Sequence, residues 1–199
     1  VGRVEAQGNR EGNAAPQGTE EALMSVALTR MFERSTAYRE PTGPTPRPAC
    51  VRVATPADEQ AVFDILMLLA EENAMSPVSE AKVWAAIHKG TRRQGGIIGV
   101  IDTPNRQIAA TVGISMGQWW YTEAMHCEEI WSFVHPDHRK GKENYAKMLI
   151  EFSRWWGEQL GLPVLMGVLS TKRTLGKVRL YSRHIPFVGA LFLHRAGAV

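Results

Sequence analysis

The sequence predicts an α/β domain in which a mixed sheet carries helices on its faces. Three observations lead there. Short β-branched runs alternate with segments of helical apolar period, in the order β α α β β β α β α β. No segment repeats internally, which excludes repeat architectures. Hydrophobic residues make up 44 % of the 199, enough for one substantial core.

Residues 1–48 read as a flexible tail. Five of the 11 prolines fall there, most of them in "EPTGPTPRP" from Glu40 to Pro48. Alternating prolines favour extended backbone over a packed core. Within the tail, "TEEALMSVALTRMFER" has the spacing of a short helix, with Leu28, Met31 and Phe32 on one side. The domain is expected over 49–199.

"CVRV" (50–53) predicts a short strand. Thr55 then stands as an N-cap, Pro56 at the first helical position and Asp58 in the first turn. Val62, Ile65, Leu66 and Leu69 follow at helical spacing, so a helix is expected over 56–72, and a second over 79–89 around Val83, Trp84 and Ile87. "GGIIGVID" (95–102) and "IAATVGIS" (108–115) predict an antiparallel hairpin around "TPNRQ". "EEIWSFV" (128–134) predicts the next strand. A helix beginning near Glu143 presents Tyr145, Met148, Leu149, Phe152, Trp156 and Leu160 on one face. A buried strand over 163–170, a helix over 171–183 and a last strand over 188–194 complete the order.

Charge is unevenly spread. Net charge is +3 overall, but residues 49–134 hold 6 basic and 10 acidic side chains, and residues 135–199 hold 11 and 4. An acidic half followed by a basic half suggests one site for a cation and another for an anion. Cys50 and Cys127 form no disulfide framework and no metal-ligand spacing. No apolar run approaches the ~20 residues of a membrane span, and "VGRVEAQGNREGNAAPQG" has no apolar signal core. The expectation is a cytoplasmic protein with free thiols and no membrane partner, either a monomer or a homodimer.

The most informative stretch is "WSFVHPDHRKGKENYAKMLIEF", Trp131 to Phe152. A strand ends at Pro136, a basic turn follows around Gly141, and an amphipathic helix begins. Backbone N–H groups at a helix N-terminus form an anion site, and Arg139, Lys140 and Lys142 add charge to it. A pyrophosphate suits such a place; a plain basic turn is the simpler alternative.

This stretch resembles the acetyl-coenzyme A motif of GCN5-related N-acetyltransferases (GNAT), which commonly reads V-x-P-x-x-[RQ]-x-x-G-x-[GA]. Val134 and Pro136 supply its opening. Aligned on Gly141, His138 takes the Arg/Gln place, with Arg139 beside it. Glu143 takes the place of the small residue, a departure, because a carboxylate repels phosphate. The resemblance extends over about residues 50–194 through the element order. It implies a mostly antiparallel mixed sheet with splayed central strands and helices on both faces. It further implies acetyl-coenzyme A as co-substrate, with the backbone near Phe133 and Val134 pairing with its pantetheine. His138, Arg139, Lys140, Gly141, Lys142 and Glu143 would surround its phosphates. Thr174 stands at the spacing of an Asn often found in the family.

The resemblance also implies the chemistry, acetyl transfer to an amine acceptor by direct attack. "VRLYSR" supplies Leu180 and Tyr181 where many members carry a Leu-Tyr pair, and that tyrosine protonates the leaving thiolate. The amine needs a base, because an alkyl ammonium has a pKa near ~10.4. In histone-acetylating members the base maps to Glu128. Regular alternation puts Glu128 on one face with Ile130, Ser132 and Val134, and Glu129 on the other with Trp131 and Phe133. A bulge would transfer the role to Glu129. A strand-end charge in water is the plain alternative for both carboxylates, and a packed aromatic for Tyr181.

"QWWYTEAMH" (118–126) can wall an acceptor pocket or simply pack a loop. The segment "VRLYSRHIPFVGALFLH" resembles the C-terminal ends of GNAT-like proteins of tailed phages, so a modified nucleobase is a further acceptor option. The rival from another class is nucleic-acid binding by Arg173, Lys177, Arg179 and Arg183 on or near one helix. A non-catalytic acyl-coenzyme A binder is the third reading.

Overall fold

The computed structural model describes residues 43–73, 77–170 and 173–189. Its elements run β1 (Arg52–Val53), α1 (Glu59–Asn73), α2 (Glu80–Thr91), β2 (Gly96–Asp102), β3 (Ile108–Gln118), β4 (Met125–Val134), α3 (Tyr145–Leu160), β5 (Val164–Leu165) and α4 (Thr174–Tyr181). Single 3-10 turns, Pro56–Asp58 and Pro136–His138, precede α1 and follow β4. The five strands lie in chain order in one sheet; only the β4–β5 pairing is parallel. The expected mixed, mostly antiparallel sheet is therefore what forms.

Local chemistry sets the boundaries. Thr55 and Asp58 close a capping box ahead of α1. Arg52 then ties that turn to the sheet by bonding both Asp58 (2.8 and 2.7 Å) and Asp102. Asn144 accepts from Lys147 N–H at 3.1 Å and caps α3, which therefore starts at Tyr145 and not at Glu143. Gly161 ends α3 at φ +64°, a left-handed position that costs glycine little.

Two apolar clusters sandwich the sheet. On one face α3 lays Leu149 and Phe152 against Ile97, Val112, Ile114 and Cys127. On the other, α1 and α2 lay Val62, Ile65, Leu66 and Ile87 against Ile98, Val100 and Phe133. The side chain of Trp131 lies across Gly113, where a Cβ would sit 2.4 Å from the ring.

Several expectations are corrected. The strand expected over 163–170 is two residues long and half-buried. Its pairing stops at Glu128↔Leu165, so β4 runs on from Glu129 with an open edge. Val188 and Gly189 are not in a strand, and 190–194 lie outside the described residues, as does the helix expected within the tail. Residues 43–48 touch the domain: Thr45 is buried and its N–H donates to Glu158 of α3 at 2.6 Å. Arg47 stacks over Trp155, 5.2 Å from the ring centroid. Composition alone concealed this docking.

Candidate active site

The site is organised by one irregularity. Ser115 pairs with Glu128 and Ile114 with Glu129, but Gly113 pairs with Trp131, so Ile130 is an extra residue in β4. The bulge reverses the alternation expected from sequence. Glu128 shares the α1–α2 face with Trp131 and Phe133, through Ser115, Gly113 and Thr111. Glu129 shares the α3 face with Ser132 and Val134, through Ile114, Val112 and Ala110. The two carboxylates stand back to back, with faces exchanged relative to the regular pattern.

Glu129 meets Tyr181. The phenol hydroxyl donates to the carboxylate, 2.8 and 2.9 Å from its two oxygens, and Ser132 is a further hydrogen-bond partner. Burial pushes the Glu129 carboxyl up to about 8, against the opposing pull of the Tyr181 bond and the Lys177 charge. Burial, then the Glu129 charge, raises the Tyr181 phenol well above its ordinary value. Lys177 and Tyr181 are one helical turn apart on α4. Burial lowers the Lys177 ammonium, while Glu72 and Glu129 draw it the other way. Glu128, by contrast, is exposed and makes no hydrogen bond or ion pair among the described residues.

The open edge of β4 is where an extended ligand can add hydrogen bonds. His135 N–H donates to Ala109 O across the ladder at 2.8 Å. By alternation Phe133 also turns its backbone groups to β3, and Ser132 and Val134 turn theirs to the open edge. Of the expected pair, only Val134 therefore presents its backbone there; the Phe133 side chain is buried beneath α1.

Arg139 takes a place that its sequence did not reveal. Its Nε donates to Val134 O at 2.8 Å, its guanidinium pairs with Glu72 of α1 at 2.6 Å, and it lies over the Phe133 ring. Counted from Pro136, the family's Arg/Gln position falls on Arg139, so Gly141 comes one residue early. His138 sits between the rings of His135 and Tyr145. Lys140, Gly141, Lys142 and Glu143 form an exposed turn. Gly141 has a negative φ, and a Cβ there would meet only His138 O at 3.7 Å and Glu143 N at 4.0 Å. Its lack of a side chain is thus room for an approaching group, not a demand of the turn itself. Glu143 bonds the Tyr145 phenol, which burial and then this contact raise. Thr174 opens α4 and donates to Ser170 O.

On the other face, a cleft of about 250 Å3 lies between α2 and the sheet, lined by Lys89, Gly90, Ser115, Ile130 and Trp131 among others. Lys89 Nζ bonds Ser115 Oγ at 3.2 Å. Beyond it, His126 is buried beneath the ring of Trp119, while Trp120 and Tyr121 are exposed. Sequence reasoning had not singled out Lys89, Ser115, Ser132 or Glu72; only the long-range pairing brings them to the site.

No family model matches the chain, and no curated protein does. Solved structures do. A ribosomal-protein-alanine N-acetyltransferase of Brucella melitensis biovar Abortus 2308 superposes with TM-score 0.56 at 13 % identity, covering 74 % of this chain and 98 % of that one. An aminoglycoside antibiotic 6'-N-acetyltransferase of Acinetobacter haemolyticus gives 0.54 at 14 %, covering 75 % and 99 %. A protein of Clostridium acetobutylicum described as a predicted acetyltransferase, solved with acetyl-coenzyme A, gives 0.58 at 12 %, covering 73 % and 94 %. The chain has the GNAT fold.

Proposed function

We propose that this protein is an N-acetyltransferase that moves the acetyl group of acetyl-coenzyme A to a primary amine by direct attack. The observation that carries the reading is the half-buried Glu129–Tyr181 pair beside the open edge of β4, just past the point where β5 ceases to pair. The likeness to structures named as N-acetyltransferases supports it.

The chain's groups suit the co-substrate in part. Ser132 and Val134 offer backbone groups along the edge, and Lys140 and Lys142 offer charge near the capped start of α3. Arg139 occupies Val134 O, so a ligand amide that pairs there takes over an existing bond.

The back-to-back carboxylates divide the proton work. Tyr181 turns its hydroxyl from Glu129 to the departing thiolate and gives up its proton; the hydrogen bond then reverses, and the Glu129 carboxyl, pushed up to about 8 by burial, donates to the phenolate. Glu128, exposed on the opposite face, takes the proton of the attacking amine. Nucleic-acid binding is less well supported, because Lys177 turns toward Glu72 and Glu129 instead of standing free with Arg173, Arg179 and Arg183. The exposed Cys50 thiol suits a reducing cytoplasm. Among the described residues no helix is long and apolar enough to cross a membrane. The phage-like C-terminal segment keeps an unusual acceptor, such as an aminated nucleoside, within this reading.

Titration calorimetry with coenzyme A tests the first requirement. Saturable binding that weakens when Lys140 and Lys142 are both replaced by Ala is expected. Absence of binding would remove the reading.

A further inference from the structure

Lys89 and Glu128 are opposite charges that share Ser115 as a neighbour, one through its hydroxyl and one across the ladder, and they form no ion pair with each other. Lys89 reaches from α2 to the Ser115 hydroxyl at 3.2 Å, and Glu128 is the cross-strand partner of Ser115 on that same face. Neither makes an ion pair among the described residues, although at the same helix end Arg92 pairs with Glu59 at 2.8 Å. Lys89 and Ser115 line the cleft walled by Ile130 and Trp131, with Gly90 and Gly96 at its sides, and Glu128 stands at its margin as the cross-strand partner of Ser115. The cleft reaches the bulge that carries Glu129 on the other face.

We infer that this cleft takes a small zwitterion, the free α-amino acid class, with its carboxylate on Lys89 and Ser115, its ammonium on Glu128 and an apolar side chain against Ile130 and Trp131. Size favours this over a larger acceptor. At about 250 Å3 the cleft falls below the roughly 300 Å3 at which pockets for drug-sized ligands begin. An oligosaccharide or an extended peptide exceeds it. Charge favours it too. A plain amine satisfies Glu128 and leaves Lys89 facing a second cation's neighbourhood, whereas a carboxylate beside the amine satisfies both. Glu128 would then hold the amine at the strand step where the proposed transfer occurs, so the inference deepens that reading and rests on it for turnover, though not for binding.

The test compares L-leucine with 3-methylbutylamine, which differ only in the carboxylate. Calorimetry without co-substrate should show L-leucine binding at least about 10-fold more tightly, the range of one charge-assisted hydrogen bond. Lys89→Met, which keeps the aliphatic stem beside Gly95, should abolish that preference, and Lys89→Arg should restore part of it. With acetyl-coenzyme A, the same substitution should raise KM for L-leucine and leave kcat nearly unchanged. Equal binding of the two ligands, no binding of L-leucine, or a preference that survives Lys89→Met overturns the inference. L-Leucine binding without thiol release supports the cleft and overturns the transferase reading. Thiol release from plain amines with no preference for L-leucine does the reverse.

Discussion

Replacing Glu129 by Gln should change how stability depends on pH. Burial raises this carboxyl from its ordinary 4.5 to about 8, so the folded protein binds a proton that the unfolded chain has released. A raised carboxyl makes stability fall as pH climbs from the unfolded value through the folded one, here from about 4.5 to above 8. The gap corresponds to at most about 4–5 kcal/mol at about 1.4 kcal/mol per pH unit. Between pH 6 and about 8 the assay reads about 2 pH units of that gap, or about 2–3 kcal/mol. For a domain of this size, that is a fall in Tm on the order of 5–10 °C. Gln keeps the shape and accepts the Tyr181 hydroxyl without ionising. Thermal unfolding at pH 6 and pH 9 should therefore show wild type losing ground that Glu129→Gln keeps. If the two proteins lose Tm in parallel, Glu129 is not buried against Tyr181 and the division of proton work falls with it.

Further outcomes follow from the same geometry. Tyr181→Phe keeps the ring but not the hydroxyl at 2.8 Å from Glu129, so the fold should hold while kcat drops roughly 10²-fold, the usual scale of acid–base help; stopped-flow thiol release checks it. Gly113→Ala drives a Cβ into the Trp131 ring, 2.4 Å away, and should cost about 1–3 kcal/mol in urea unfolding, with a shifted tryptophan emission. Thr45→Val removes the hydroxyl bond that is the largest cause lowering the Glu158 carboxyl and keeps the backbone N–H bond. A lowered carboxyl stabilises above its unfolded value and loses that contribution as pH falls, so the deficit of the variant should be present at pH 7 and shrink as pH falls below the ordinary 4.5. Because Glu158 is well exposed, that deficit should stay below about 1 kcal/mol.

What could be read in the sequence was local. The Thr55–Asp58 box, the period of Val62, Ile65 and Leu66, and the alternation of Ala110, Val112 and Ile114 are short-range patterns, and they marked α1 and β3 well, whereas Ile108 is thrown to the opposite face by a register shift between β2 and β3. The basic turn and Tyr181 stood out by residue type. The bulge did not, because "EEIWSFV" contains no glycine or proline to announce it, and one extra residue exchanges the faces of Glu128 and Glu129. Arg139 reads as a phosphate ligand by residue type; its ion pair with Glu72 is invisible in the sequence because Glu72 lies on α1, far away in the chain. Thr45 looked like tail because its partner is 113 residues distant. Each of these arrangements depends on a long-range pairing that composition and period do not encode.

The most direct measurement is release of free thiol from acetyl-coenzyme A in the presence of an amine panel of amino acids, polyamines, lysine peptides and aminated nucleosides. Mass spectrometry would show the acetylated product. The account predicts amine-dependent release, with near wild-type turnover in Cys127→Ala, whose buried thiol is raised by burial and ill suited to attack, and with severe loss in Tyr181→Phe. Release that requires Cys127 but not Tyr181, or no amine-dependent release from protein shown to bind coenzyme A, would contradict it.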